Sequence, residues 1–100
     1  MIDDYGQTNF MTKIKHELDK RFYIENDEGD AFLDYEREDD VINILHVYVA
    51  ASLRGQGIAE ALTREALEYV KLKRYRVIPS CPYVSQTFLR RHPEYQELID

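Results

Sequence analysis

The chain has 100 residues, 44% hydrophobic and 12% aromatic, enough to bury one modest core but not two. Its net charge of −6 speaks against general nucleic-acid binding, and one cysteine (Cys81) with three scattered histidines gives neither an internal disulfide nor a metal-ligand spacing. No apolar run is long enough for a membrane span, and the N-terminal MIDDYGQTNF is acidic and polar where a secretory signal would be basic and then apolar, so a cytoplasmic location with no membrane or nucleic-acid partner is expected.

Residues 1–12 read as a flexible N-terminal segment preceding one domain over residues 13–100. Leu18, Phe22 and Ile24 fall at even spacing on a first strand, NDEGD supplies turn chemistry, and a second strand follows over residues 31–36. REDD makes the next turn. VINILHVYVA, residues 41–50, is apolar at nearly every position, as expected of a central strand covered on both faces. On that strand His46 alternates with Ile42, Ile44 and Tyr48 on one face. Ile58, Leu62, Ala66, Tyr69 and Val70 then mark one face of a helix on which Glu60 and Arg64 form an i,i+4 pair, and Lys71, Lys73 and Arg74 suit its negative end. RVIPS reads as a short buried strand. Pro82 fits the first turn of a second helix reaching to about Arg91, because its missing N–H is no loss there. The predicted fold is α/β in the order β-β-β-α-β-α, a small mixed sheet of antiparallel N-terminal strands and a parallel β-α-β pair with two main helices.

Two of the chain's four glycines, Gly55 and Gly57, stand two residues apart behind Arg54 and ahead of the long helix. A strand-helix-strand unit is almost always right-handed, so both its strands end at the same sheet edge, where ligands bind in α/β sheets. There, backbone N–H groups of the first helical turn have no helical partner and the macrodipole is positive. Glycines let the backbone approach a phosphate closely, and Arg54 adds a charged donor. The same pair could serve only as a tight strand-to-helix turn. Charge distribution supports the anion: residues 25–40 carry nine acids and one base, residues 53–91 eight bases and three acids. A P-loop would need Lys-Ser/Thr where Ile58 and Ala59 stand, and a dinucleotide fingerprint a small residue where Glu60 stands.

The stretch RGQGIA (Arg54, Gly55, Gln56, Gly57, Ile58, Ala59) resembles the acetyl-CoA pyrophosphate loop of the GNAT superfamily of N-acetyltransferases, and VIPSCPYVSQTFLRRHPEY looks like the end of a short single-domain subgroup of it, the YjdJ type. Together the two motifs lie within residues 41–99. The resemblance implies a GNAT-like sheet binding acetyl-CoA or CoA, with the pantetheine arm along Val47, Tyr48 and Val49, and a cysteine and a histidine near the acetyl group, matched by Cys81 and His46. It also implies an amine acceptor, although the N-terminal helices that wall the acceptor pocket in larger relatives have no counterpart here.

Each candidate also has a plain packing role. His46 fits a hydrogen-bonded core histidine, Cys81 a small buried hydrophobe, and the stripe of Tyr83, Thr87 and Phe88 helix packing; Arg90 and Arg91 are solvated charges within possible reach of cofactor phosphates. Cys81 nevertheless follows a strand and precedes a helix N-terminus, which favours thiolate. Two chemistries fit: His46 removes a proton from an ammonium acceptor for direct transfer, or Cys81 takes the acetyl group first with help from His46. A different class also fits, a CoA-binding regulatory or interaction module that catalyses nothing.

Overall fold

The structure, a computed structural model, describes residues 13–26 and 29–100. The expected N-terminal segment 1–12 lies outside the described residues, as do residues 27 and 28 of the first turn. Five strands form one sheet in sequential order: β1 (Lys15–Glu17), β2 (Arg21–Asn26), β3 (Gly29–Glu38), β4 (Val41–Val49) and β5 (Arg76–Pro79). The first four are antiparallel; β4 and β5 are parallel and joined through helix α1 (Ile58–Lys73).

The alternation in β2 and β3 builds the sheet's inner face. Phe22 and Ile24, then Ala31, Leu33 and Tyr35, are buried. Against them α1 sets Ile58, Leu62, Ala66, Leu67 and Val70, every third or fourth residue as a helical stripe requires. Arg74 ends the helix in a left-handed conformation, its N–H shared by the carbonyls of Lys71 and Val70. Glu60 and Arg64 pair at 3.2 Å, as their spacing predicts. After β5 the chain enters π-helical turns at Tyr83–Phe88 that pass into α2 (Leu89–Arg91) and a 3₁₀ segment (Pro93–Leu98). Val84, Phe88, Leu89, Tyr95 and Leu98 from this stretch close the same core.

Several expectations need correction. Leu18 lies in the turn between β1 and β2 and is 67% exposed; the strand before it is KHE, too short and polar to show alternation. The middle strand is β3, while β4 stands between β3 and β5. Nor is β4 covered on both faces: only Ile42 and Ile44 are buried, and Leu45, His46 and Tyr48 are exposed. β5 is half-covered, with Val77 buried and Ile78 exposed.

The largest correction concerns phase. Asp34 pairs with His46 and Tyr35 with Ile44, so Leu45 is an extra residue with no partner across the ladder. A bulge of this kind shifts the alternation by one. Ile42 and Ile44 face the core before it, Val47 and Val49 pack against the core after it, and His46 and Tyr48 come out on the opposite face. His46 therefore shares its face with Tyr48 but not with Ile42 and Ile44.

A polar cluster ties β1 to the sheet. The hydroxyl of Tyr35 accepts the N–H of Asp19 at 2.7 Å and shares a hydrogen bond with His16 Nε2 at 2.5 Å, and His16 stacks on Phe22 with ring centroids 4.0 Å apart. Burial lowers the pKa of His16 and, as the largest cause, pushes the Tyr35 hydroxyl up to about 12.

Candidate functional site

β5 pairs with β4 only as far as Ile44, opposite Pro79, and the N–H of Cys81 makes one further bond to the Ile44 carbonyl at 2.9 Å. Beyond the bulge the two strands no longer pair. The N–H of Ala50 bonds the carbonyl of Asp30, and in an antiparallel ladder bonded and non-bonded pairs alternate. Tyr48 and His46 accordingly direct their backbone groups to β3, and Val47 and Val49 direct theirs away from it. The N–H and carbonyl of Val47 and the N–H of Val49 thus face an opening in the sheet, while the Val49 carbonyl is taken by Arg54.

That opening is a cleft of about 400 Å³ lined by β4, the following loop, the start of α1 and, across it, Tyr83 and Arg91. The loop is shaped by its glycines, for Gly55 and Gly57 have φ of 84° and 78°, a left-handed region that residues with a Cβ rarely adopt. A Cβ built on either would meet nothing within 4 Å, so backbone conformation and not crowding requires glycine here. Gly57 is the residue preceding α1, and no side chain caps that helix. The first bond of the helix runs from the N–H of Ala61 to the carbonyl of Gly57 at 3.0 Å. The N–H groups ahead of it are the orphan donors of a helix N-terminus, and they border the cleft.

Two cations join them. Arg54 is held in place by a bond from its Nε to the Val49 carbonyl at 3.1 Å, and Arg91 lines the far wall. Glu60 also lines the cleft, but Oε1 of its carboxylate is engaged by Arg64 at 3.2 Å and His92 Nε2 at 2.9 Å. Tyr83 also lines the cleft; the pKa of its hydroxyl is raised by burial first and by the charge of Glu60 second, so it keeps its proton at neutral pH.

Of the residues singled out in the sequence, His46, Val47, Tyr48, Val49, Arg54, Gly55, Gly57, Ile58 and Ala59 line this cleft. Gln56 is exposed and does not line it. Cys81 belongs to the buried core, 4% exposed, and is not among the lining residues either. The structure therefore does not bring Cys81 and His46 to one surface. Tyr83, expected to serve only helix packing, is the reverse case. The signal available was its place one residue after Pro82, in the first helical turn at the edge where β5 ends. Thr87 and Phe88 are packing residues as expected, half-buried and fully buried.

Residues 21–98 match the sequence model of the GCN5-related N-acetyl-transferase family. Among solved structures, the chain is similar to the NMR solution structure of a GCN5-like N-acetyltransferase candidate from Staphylococcus aureus, with 29% sequence identity and a TM-score of 0.68, over 87% of this chain and 86% of that one.

Proposed function

The chain belongs to the GCN5-related N-acetyltransferase family, and from that premise we propose that it binds acetyl-CoA in the cleft and transfers the acetyl group to an amine. One observation carries the reading. The N–H and carbonyl of Val47 and the N–H of Val49, turned away from β3, run alongside the cleft and lead into a left-handed glycine loop at an uncapped helix N-terminus. An extended chain with amide groups ending in a pyrophosphate needs these two features side by side. The amides would add to β4 as a further strand does, and the phosphates would meet the N–H groups after Gly57, with Arg54 and Arg91 as counter-charges.

When bound, acetyl-CoA supplies an activated acetyl thioester. The chain's own residues orient it and handle protons. His46 is exposed at the cleft with no hydrogen-bond partner on its ring among the described residues, so a ring nitrogen is free to accept a proton from an ammonium acceptor. Tyr83 Oη holds its proton and serves as a donor on the opposite wall. Transfer is direct in this reading, because the Cys81 thiol is in the core.

The test has two stages. Calorimetric titration with CoA should show binding, and acetyl-CoA mixed with the protein and a panel of amines should release free CoA only when an amine is present. Binding without amine-dependent release would favour the non-catalytic module, and absence of binding would remove the cofactor reading.

A further inference from the structure

His46 and Tyr48 belong to the cleft and also to the outer face of the sheet, which no helix covers among the described residues: the buried helical side chains all join one core on the inner face. On this outer face Phe32 stacks with Tyr48 at 5.3 Å and lies 6.1 Å from His46. Asp34 stands directly opposite His46 in the ladder. Two hollows flank this centre along β3. One, about 300 Å³, is bordered by Glu17, Arg21, Glu25 and Asp30; the other, about 390 Å³, by Glu36, Glu38, Asp39, Asp40 and Asp100 together with Arg37. Both arginines are already engaged. Arg21 pairs with Asp34 at 3.1 Å over the Phe32 ring, and Arg37 grips both carboxylate oxygens of Asp19 at 2.7 and 3.1 Å. Glu25 with Lys15 (4.0 Å) and Glu17 with Lys20 (3.5 Å) make only solvent-exposed pairs, which an incoming cation displaces at little cost. Asp30, Glu36 and Glu38 have no ionic partner among the described residues.

We propose that this face is where the acceptor docks, and that the acceptor is a lysine within an extended basic stretch of polypeptide. The inference rests on the acetyl-transfer reading. Charge complementarity and span decide the partner. Asp30 and Glu36 lie six residues apart on one strand, roughly 20 Å at strand rise, with His46 between them; an extended peptide covers that distance in about six residues. The lysine would then lie over Phe32 and Tyr48 while basic neighbours on either side occupy the two hollows. A free small amine, by contrast, is held by a concave pocket that encloses it, and this face is open.

The experiment uses a synthetic peptide with one central lysine flanked on both sides by arginines, the same peptide with glutamine flanks, and spermidine. The arginine-flanked peptide should be preferred over the glutamine-flanked one by roughly tenfold in kcat/KM at low salt. Asp30→Lys and Glu36→Lys, in opposite hollows, should each remove most of that preference and weaken peptide binding measured by fluorescence anisotropy. Both positions are exposed, and Asp30→Asn with Glu36→Gln provides a milder pair. CoA affinity should be unchanged in all of them. A preference that survives both reversals, or spermidine outperforming the arginine-flanked peptide, overturns the docking surface. Loss of CoA binding in the unaltered protein would instead defeat the acetyl-transfer reading, while anisotropy would still report whether the face takes the peptide.

Discussion

Substitutions at Gly57 can separate the two roles assigned to the loop, because the site has room for a side chain but the wrong backbone for most of them. With φ at 78° and no atom within 4 Å of a built Cβ, Gly57→Val suffers no overlap with the protein. Its cost is conformational, about 1–2 kcal/mol for a left-handed residue with a Cβ, and more at the upper end for a β-branched one. Each kcal/mol lowers the melting temperature of a domain this size by about 4–8 °C. Asparagine tolerates the left-handed region, so Gly57→Asn should melt close to the parent. Both variants put a side chain into the open space beside the orphan N–H groups, where the phosphates are proposed to sit. Calorimetry should therefore show CoA binding weakened tenfold or more, about 1.4 kcal/mol, in the Asn variant as well as in the Val variant. A Gly57→Asn protein that melts normally and binds CoA with parental affinity would refute the assignment of the loop to phosphate.

Three further outcomes follow from the site and its surroundings. CoA affinity should fall as salt rises, and dephospho-CoA should bind less well than CoA, because Arg54 and Arg91 act through charge; salt-independent affinity would move the main contribution to the pantetheine arm. Cys81→Ala should keep most of its turnover and give no change in acetyl labelling by mass spectrometry, whereas His46→Ala should lose turnover; an acetyl mass mapped to Cys81 would reinstate the thiol route. Tyr35 has a pKa raised from 10.0 to about 12, so its contribution is complete below pH 10 and is lost as pH climbs through 12; Tyr35→Phe should remove that part of the alkaline loss in a melting-against-pH series.

Much of this was legible in the sequence where periodicity was clean. α1 shows its stripe from Ile58 to Val70, and the two glycines mark a turn whose left-handed conformation most residues with a Cβ avoid. What stayed hidden has particular causes. The bulge at Leu45 falls in a run where apolar residues occupy both faces, so a one-residue change of phase leaves no trace in the pattern, and simple alternation puts His46 with Ile42 and Ile44. The exposure of β4's outer side was hidden for the same reason, since Leu45 and Tyr48 look like core residues until the missing layer is seen. The sequence neighbours of Cys81 point it toward the site, yet its backbone continues the β5 ladder onto Ile44 and its side chain is buried in the core. Tyr83 is the opposite case, because π-helical turns do not follow the 3.6-residue spacing on which a packing role for it rests.

The bulge also offers a sharp test of how the cleft arises. Leu45 is the unpaired residue between two ladder pairs, so deleting it joins Ile44 to His46 without changing which way either points: Ile44 still faces inward, His46 outward, Val47 inward. The core-facing set of β4 is preserved, and the variant should fold with a cooperative melt, lowered by the shift that the loop before α1 must absorb. What the deletion removes is the bend and extra twist that a bulge imparts to its strand, and β5 ceases to pair at the position where that bend begins. A regular β4 would run on beside the chain leaving β5, narrowing the cleft and covering the outward backbone groups of Val47 and the N–H of Val49. The expected result is a folded protein, checked by circular dichroism and melting, whose CoA affinity has dropped by more than tenfold, about 1.4 kcal/mol. Parental affinity in the folded deletion variant would mean that the divergence of β4 and β5 is held by the helices on either side of the cleft and that the bulge is incidental to it.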